Sequence, residues 1–235
     1  MRYELTDIAQ HVIQRGNNRQ PCFFADEDYH LYLECLADAA KRFACNIHAY
    51  VLMTNHVHLL VTPRAANAVA KLMQSVGRKY VRYVNDQYRR TGTLWEGRYK
   101  ASLVGAGHYV LSCYRYIELN PVRADMVKDP ADYRWSSYAR NAWGKPDVGI
   151  KEHYEYTELG RDAESRLKAY RELFKTMLDA EALDDIRRNL NQCRAFASAR
   201  FTSEIEATLK RRIQPGKAGR PKKEIPDGRQ LKISV

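Results

Sequence analysis

The chain predicts an α+β fold: an antiparallel sheet in the order β-α-β-β-α-β, one more helix after the last strand, and an all-helical basic C-terminal extension. Three observations predict it. Apolar runs at 47–53 and 56–62 are separated only by Thr54-Asn55, the spacing of a hairpin. Segments 26–42 and 68–88 repeat apolar residues near the 3.6-residue helical period. From about 159 to 209 the pattern is helical throughout. The first two, with a short strand before them and an extended segment after them, give the ferredoxin-like order.

Taken in order, His11-Val12-Ile13-Gln14 reads as the first strand and Arg15-Gly16-Asn17-Asn18-Arg19-Gln20-Pro21 as a polar turn. In 26–42, Leu31, Leu33, Cys35, Leu36 and Ala39 make one apolar face, and Asp26 or Asp28 caps the start. Pro63 ends the hairpin. Val69, Leu72, Met73, Val76, Tyr80 and Val84 place the next helix on the core, and Thr91-Gly92-Thr93 breaks it. Residues 94–104 read as extended, Gly105-Ala106-Gly107 as a break, and 109–119 as a helix stopped by Asn120-Pro121. The turn-forming stretch 144–149 marks a boundary. The expected organisation is a catalytic domain over 1–145, a helical extension over 146–214, and a Pro/Gly-rich basic tail over 215–235.

Hydrophobic residues make up 45% of the 235, a globular balance that excludes wholesale disorder. No run approaches the roughly 18 apolar residues of a membrane span, and the N-terminus has no apolar signal core. Five cysteines without a CxxC pair point to neither a disulfide framework nor a structural zinc site, so a reducing cytoplasm is expected. The net charge of +11 is concentrated. Residues 64–100 carry nine Lys/Arg against two acids, and residues 187–223 carry eleven against two. Two basic blocks on an otherwise mildly acidic chain point to a polyanion, above all nucleic acid.

Two features carry chemistry. His56-Val57-His58 lies on the second hairpin strand, where residues i and i+2 share a face about 6.6 Å apart and two imidazoles can share one metal ion. In Tyr114-Arg115-Tyr116-Ile117-Glu118-Leu119-Asn120-Pro121, Tyr116 and Asn120 are i and i+4, a phenol and an amide oxygen on one helix face. Each alone has a plain structural explanation, a half-exposed strand and a packed helix. Together they suit metal-assisted attack of a phenol on a phosphodiester, with a covalent intermediate. By softness the two imidazoles and amide also suit Zn²⁺ or Ni²⁺; phosphoryl transfer favours Mg²⁺ or Mn²⁺.

The chain resembles the HUH single-tyrosine transposases, and among them the REP-associated tyrosine transposases. The resemblance rests on 11–21, on Met53-Thr54-Asn55-His56-Val57-His58-Leu59, on Gly92-Thr93-Leu94-Trp95-Glu96-Gly97-Arg98-Tyr99, and on Arg115-Tyr116-Ile117-Glu118-Leu119-Asn120-Pro121-Val122-Arg123-Ala124, in the family's order over about 8–140. It implies that His56 and His58 are metal ligands, with Asn120 the third where some relatives have glutamine. It implies that Tyr116 is the nucleophile, with Tyr114 the rival. The implied reaction is cleavage and rejoining of single-stranded DNA near a hairpin, through a 5′-phosphotyrosine and a free 3′-hydroxyl, with Mg²⁺ or Mn²⁺. The family includes monomers and dimers that exchange the tyrosine helix, so both oligomeric states stay open.

For holding DNA, Arg78, Lys79, Arg82, Arg89 and Arg90 lie on or just after the long helix, interleaved with Tyr80, Tyr83 and Tyr88. Contact with phosphates and mere solvation of that face are both open. The resemblance brings Trp95 and Arg98 near the strand and gives Arg15, Asn17, Asn18 and Arg19 a base-reading role. Segments 185–191 and 200–212 suggest two helices, a helix-turn-helix being one arrangement. Arg220, Lys222 and Lys223 sit around a Gly-Arg-Pro core like that of an A·T minor-groove hook, or in a generic basic tail. Two rivals remain: a DNA-binding regulator that does not cut, and a replication-initiator-like nickase sharing the chemistry.

Overall fold

The computed structural model describes residues 5–147, 149–176 and 178–209. Five strands, β1 (Gln10–Arg15), β2 (Cys45–Met53), β3 (His56–Pro63), β4 (Lys100–Val104) and β5 (Ala195–Phe196), form one sheet in the order β2-β3-β1-β4-β5. The first four are antiparallel, as the ferredoxin-like order requires; β5 is parallel to β4. The main helices are α1 (Asp26–Arg42), α2 (Ala68–Gln87) and α3 (His108–Glu118), followed by the short α4 (Asn120–Arg123), α5 (Tyr138–Trp143) and α6 (Tyr154–Thr157). The extension contributes α7 (Ala163–Lys175), α8 (Ala180–Asn191) and α9 (Ala199–Leu209). Among the described residues, no helix is long and apolar enough to cross a membrane.

α1 and α2 pack on each other and on β2 and β3. The predicted α2 face is the buried one: Val69, Leu72, Met73, Val76, Tyr80 and Val84 are all in the core. Tyr80, interleaved with the basic residues of that helix, is buried and donates its hydroxyl to the Cys22 carbonyl at 2.6 Å. The cap of α1 is Asp28 rather than Asp26. Its buried carboxylate reaches back to the amides of Phe24 and Ala25 at 2.7 and 3.0 Å and accepts the Tyr88 hydroxyl, tying α2 to the start of α1.

Three expectations change. The extended segment 94–104 is a strand only from Lys100; before it, Trp95 bridges Gly16 and Glu96 bonds Arg15, so residues 94–99 clasp the end of β1 without extending the ladder. The extension is not all-helical, because β5 joins the sheet edge. That strand also separates α8 from α9, which replaces the short turn of a helix-turn-helix. After 144–149 the chain returns to the sheet: Ile150 bridges Ile47, and Tyr156, Tyr170 and Ile186 share the main core.

A β-bulge between Ile47 and Ala49 holds His48. Its Nδ1 donates to the Lys151 carbonyl at 2.7 Å, so its Nε2 accepts from the Thr62 hydroxyl at 2.9 Å. Both ring nitrogens are spent on structure, and burial lowers the pKa to about 4.

Candidate active site

Sheet register builds the site. Ile13 stands opposite His58 and Arg15 opposite His56, so with period two His11, Ile13, Arg15, His56 and His58 share one face. The apolar Val57 between the histidines is fully buried on the other side. The His56 and His58 rings lie 5.1 Å apart, centroid to centroid.

The hydrogen bonds set which nitrogens are available. Asn55 donates its amide nitrogen to the Arg19 carbonyl at 3.0 Å, which turns its amide oxygen toward His56 Nδ1 at 2.6 Å. An amide oxygen only accepts, so His56 carries its proton on Nδ1 and its Nε2 keeps the lone pair. His58 Nδ1 meets His11 Nε2 at 2.9 Å. If His58 is to offer Nε2 to a metal, its Nδ1–H must donate to His11, and His11 must carry its own proton on Nδ1. That Nδ1 is buried and has no hydrogen-bond partner among the described residues. Desolvation holds the rings neutral, lowering His11 to about 3, lowering His56 to about 4 with help from Arg15, and lowering His58 well below the usual range. Neutral imidazoles with committed Nδ1 atoms and free Nε2 atoms are what a metal needs from histidine. Among the described residues no group of three His, Cys, Asp or Glu side chains is arranged to hold a metal ion.

α3 brings Tyr116 onto these rings. Its ring is edge-on to His58 at 5.8 Å and to His11 at 5.5 Å, and 7% of the residue is exposed. Tyr114, two residues earlier, points elsewhere: it is 1% exposed and packs on Tyr156 and Tyr170. Asn120 opens α4 and is half-buried; its side chain makes no hydrogen bond among the described residues. Behind the tyrosine, Glu118 is fully buried and accepts hydrogen bonds from Ser137, Asn141 and Tyr170 at 2.5, 2.8 and 2.6 Å. The extension thereby holds the tyrosine helix in place.

Two residues at this site carried no role in the sequence reading. His11 was a lone histidine in a short strand; only the adjacency of β1 and β3 gives it a partner. Arg123 lies over the Tyr116 ring, its guanidinium carbon 4.3 Å from the centroid, and donates to the Tyr116 carbonyl. The i, i+7 spacing was the available signal.

The basic residues divide. Arg15 and Arg98 line a hollow of about 140 Å³ beside the histidines, with Lys100, Glu96 and Asn191 of α8. Asn17 to Arg19 form a 3-10 turn coupled to His56 through Asn55. Arg78 lines a second groove, of about 530 Å³, with Lys71 and Arg98. Lys79 and Arg82 make surface ion pairs with Asp38 and Asp86, Arg90 stacks on Phe24, and Arg89 adopts a positive φ just after α2. Trp95 is 5% exposed, with rings of Tyr32 and Tyr80 on it, and it also lines the groove of Arg78 and Arg98. Arg220, Lys222 and Lys223 lie outside the described residues.

A search of curated proteins finds no significant match. One similar solved structure is described as a REP-associated tyrosine transposase bound to a REP hairpin. It is 16% identical with a TM-score of 0.54, over 65% of this chain and 90% of that one. Another, a putative transposase from Deinococcus radiodurans R1, is 23% identical with a TM-score of 0.36, over 50% and 94%. The family model described as "Transposase IS200 like" matches residues 4–120, the span that carries the four-stranded antiparallel sheet, the histidine pair, Tyr116 and Asn120. The chain belongs to the IS200-like transposase family.

Proposed function

We propose that this chain cuts and rejoins single-stranded DNA beside REP-like hairpins, with Tyr116 as nucleophile and His56, His58 and Asn120 as ligands of Mg²⁺ or Mn²⁺. The observation that carries the reading is the placement of Tyr116 edge-on to the rings of His58 and His11. A divalent cation bound there would neutralise the phosphodiester and polarise its phosphorus. Tyr116 Oη attacks phosphorus as the P–O3′ bond breaks; its phenol proton passes to water, and the leaving 3′-oxygen takes one up. The bond energy stays in the 5′-phosphotyrosine, so a 3′-hydroxyl reverses the step without an external energy source. Arg15, Arg98 and Lys100 provide positive charge along the strand's path. Histidines and tyrosine from one chain make a complete set, so a monomer suffices. The hairpin as partner is supported by the fold relative solved with one. Such a protein acts in the cytoplasm, where its DNA is.

The test is a covalent-adduct assay with Mg²⁺ or Mn²⁺ and labelled single-stranded oligonucleotides, including hairpins from DNA flanking the coding region. The expected result is a slow-migrating adduct that is lost in Tyr116→Phe and on chelation. DNA bound but left intact would favour the regulator.

A further inference from the structure

Among the described residues, Arg123 is a cation without a counter-charge at the nucleophile. It closes α4, seven residues after Tyr116, with its guanidinium over the tyrosine ring. One terminal nitrogen is spent on the Tyr116 carbonyl; the other, Nη1, is buried and has no partner among the described residues. The cation that acts on it is Arg187, and among the described residues no carboxylate does. Burial leads in lowering its pKa, to about 10, and it stays a cation at neutral pH. Arg187, on α8, acts on it electrostatically and is itself paired with Asp184 at 3.5 Å. A desolvated guanidinium normally has an anion. Arg187 has Asp184, whereas Arg123 has no carboxylate among the described residues, and its open donor belongs to a planar fork that matches phosphate.

We propose that Arg123 is a further catalytic residue, whose Nη1 receives a non-bridging oxygen of the scissile phosphate. The inference rests on Tyr116 being the nucleophile. As the Tyr116 Oη–P bond forms and the P–O3′ bond breaks, negative charge builds on the non-bridging oxygens, next to a donor that is already in position. Arg123 exchanges no proton; the phenol proton goes to water and the 3′-oxygen takes one from water.

The test separates anion binding from a purely structural strut. Binding of a labelled oligothymidylate is measured against salt in a Tyr116→Phe background, and adduct formation in the otherwise native full chain, for Arg123→Gln and Arg123→Lys. Thermal melts establish folding. The expected result is a folded Arg123→Gln whose salt slope is shallower by about 0.7, the loss of one phosphate contact on a single strand. Its adduct rate falls about a hundredfold. Arg123→Lys keeps the slope and recovers only part of the rate, because an ammonium lacks the fork. A slope unchanged in folded Arg123→Gln overturns the proposal, whether or not the rate falls, since a strut would cost rate without a phosphate contact. If Arg123→Gln does not fold, Arg123→Lys decides: a wild-type rate overturns the proposal, and a reduced rate with an unchanged slope supports it. Absence of any adduct from the wild-type chain would overturn the Tyr116 reading instead, and the slopes would still decide whether Arg123 binds phosphate.

Discussion

Glu118→Gln should abolish a pH dependence of stability that the wild-type chain carries. Burial pushes the Glu118 carboxyl up from 4.5 to about 7, against the pull of the hydrogen bonds from Ser137, Tyr170 and Asn141. The folded state therefore holds this proton over a window, about pH 4.5 to 7, in which the unfolded chain has released it. Stability from this group is fully present below pH 4.5 and is lost as pH rises through 7. The shift of 2.5 units corresponds to about 3 kcal/mol. Glutamine mimics the protonated carboxyl: its oxygen accepts from Ser137 and Asn141, and its amide donates to the Tyr170 hydroxyl. Urea unfolding of both proteins at pH 5 and pH 8.5 should give similar stabilities at the lower pH and an advantage of about 3 kcal/mol for Glu118→Gln at the higher. Parallel pH profiles would refute the reasoning, because they would mean that Glu118 folds as a carboxylate.

Further expectations follow from the same structure. His48 titrates in the opposite sense: held to about 4 by burial, it costs stability as pH falls from 6.5 toward 4, up to about 3 kcal/mol, and His48→Gln should flatten that acid limb in urea titrations. A Cβ at Gly16 would meet the Gln20 carbonyl oxygen at 2.3 Å, so Gly16→Ala should cost about 1–3 kcal/mol. At Gly77 an added carbon meets nothing within 4 Å, and Gly77→Ala should gain about 1 kcal/mol; denaturation midpoints that move together would contradict both. Asn55→Ala and His11→Phe remove the partners that fix the two Nδ1 atoms, and each should weaken Mn²⁺ binding about 10–100-fold by calorimetry while leaving the fold intact.

Much of this was legible from residue order because it is local. The spans of α1 and α2 follow from periodicity and capping chemistry, and the hairpin from two apolar runs with a two-residue turn. The His-X-His pair and the Tyr-Asn helix could be read for the same reason, since i+2 on a strand and i+4 on a helix are fixed by backbone geometry. What escaped depends on the third dimension. His11 becomes a partner of His58 only once β1 and β3 are neighbours, and β5 is two residues long, too short to leave a pattern. The burial of Trp95 was not legible either: residues 94–99 fold back on β1, which leaves it 5% exposed on the wall of the groove it shares with Arg78 and Arg98. The reach of the extension into the site, through Tyr170 on Glu118 and Asn191 beside Arg98, comes from long-range packing that composition does not encode.

The central claim, that Tyr116 takes the phosphoryl group, is most directly tested by locating the adduct. Trypsin cuts after Arg115 and Arg123, so residues 116–123 leave as one peptide and Tyr114 leaves in the preceding one, 101–115. After nuclease digestion of the adduct, mass spectrometry should find a nucleotide-phosphate addition on the 116–123 peptide and none on 101–115. An addition on 101–115, or an adduct with no modified tyrosine, would contradict the account.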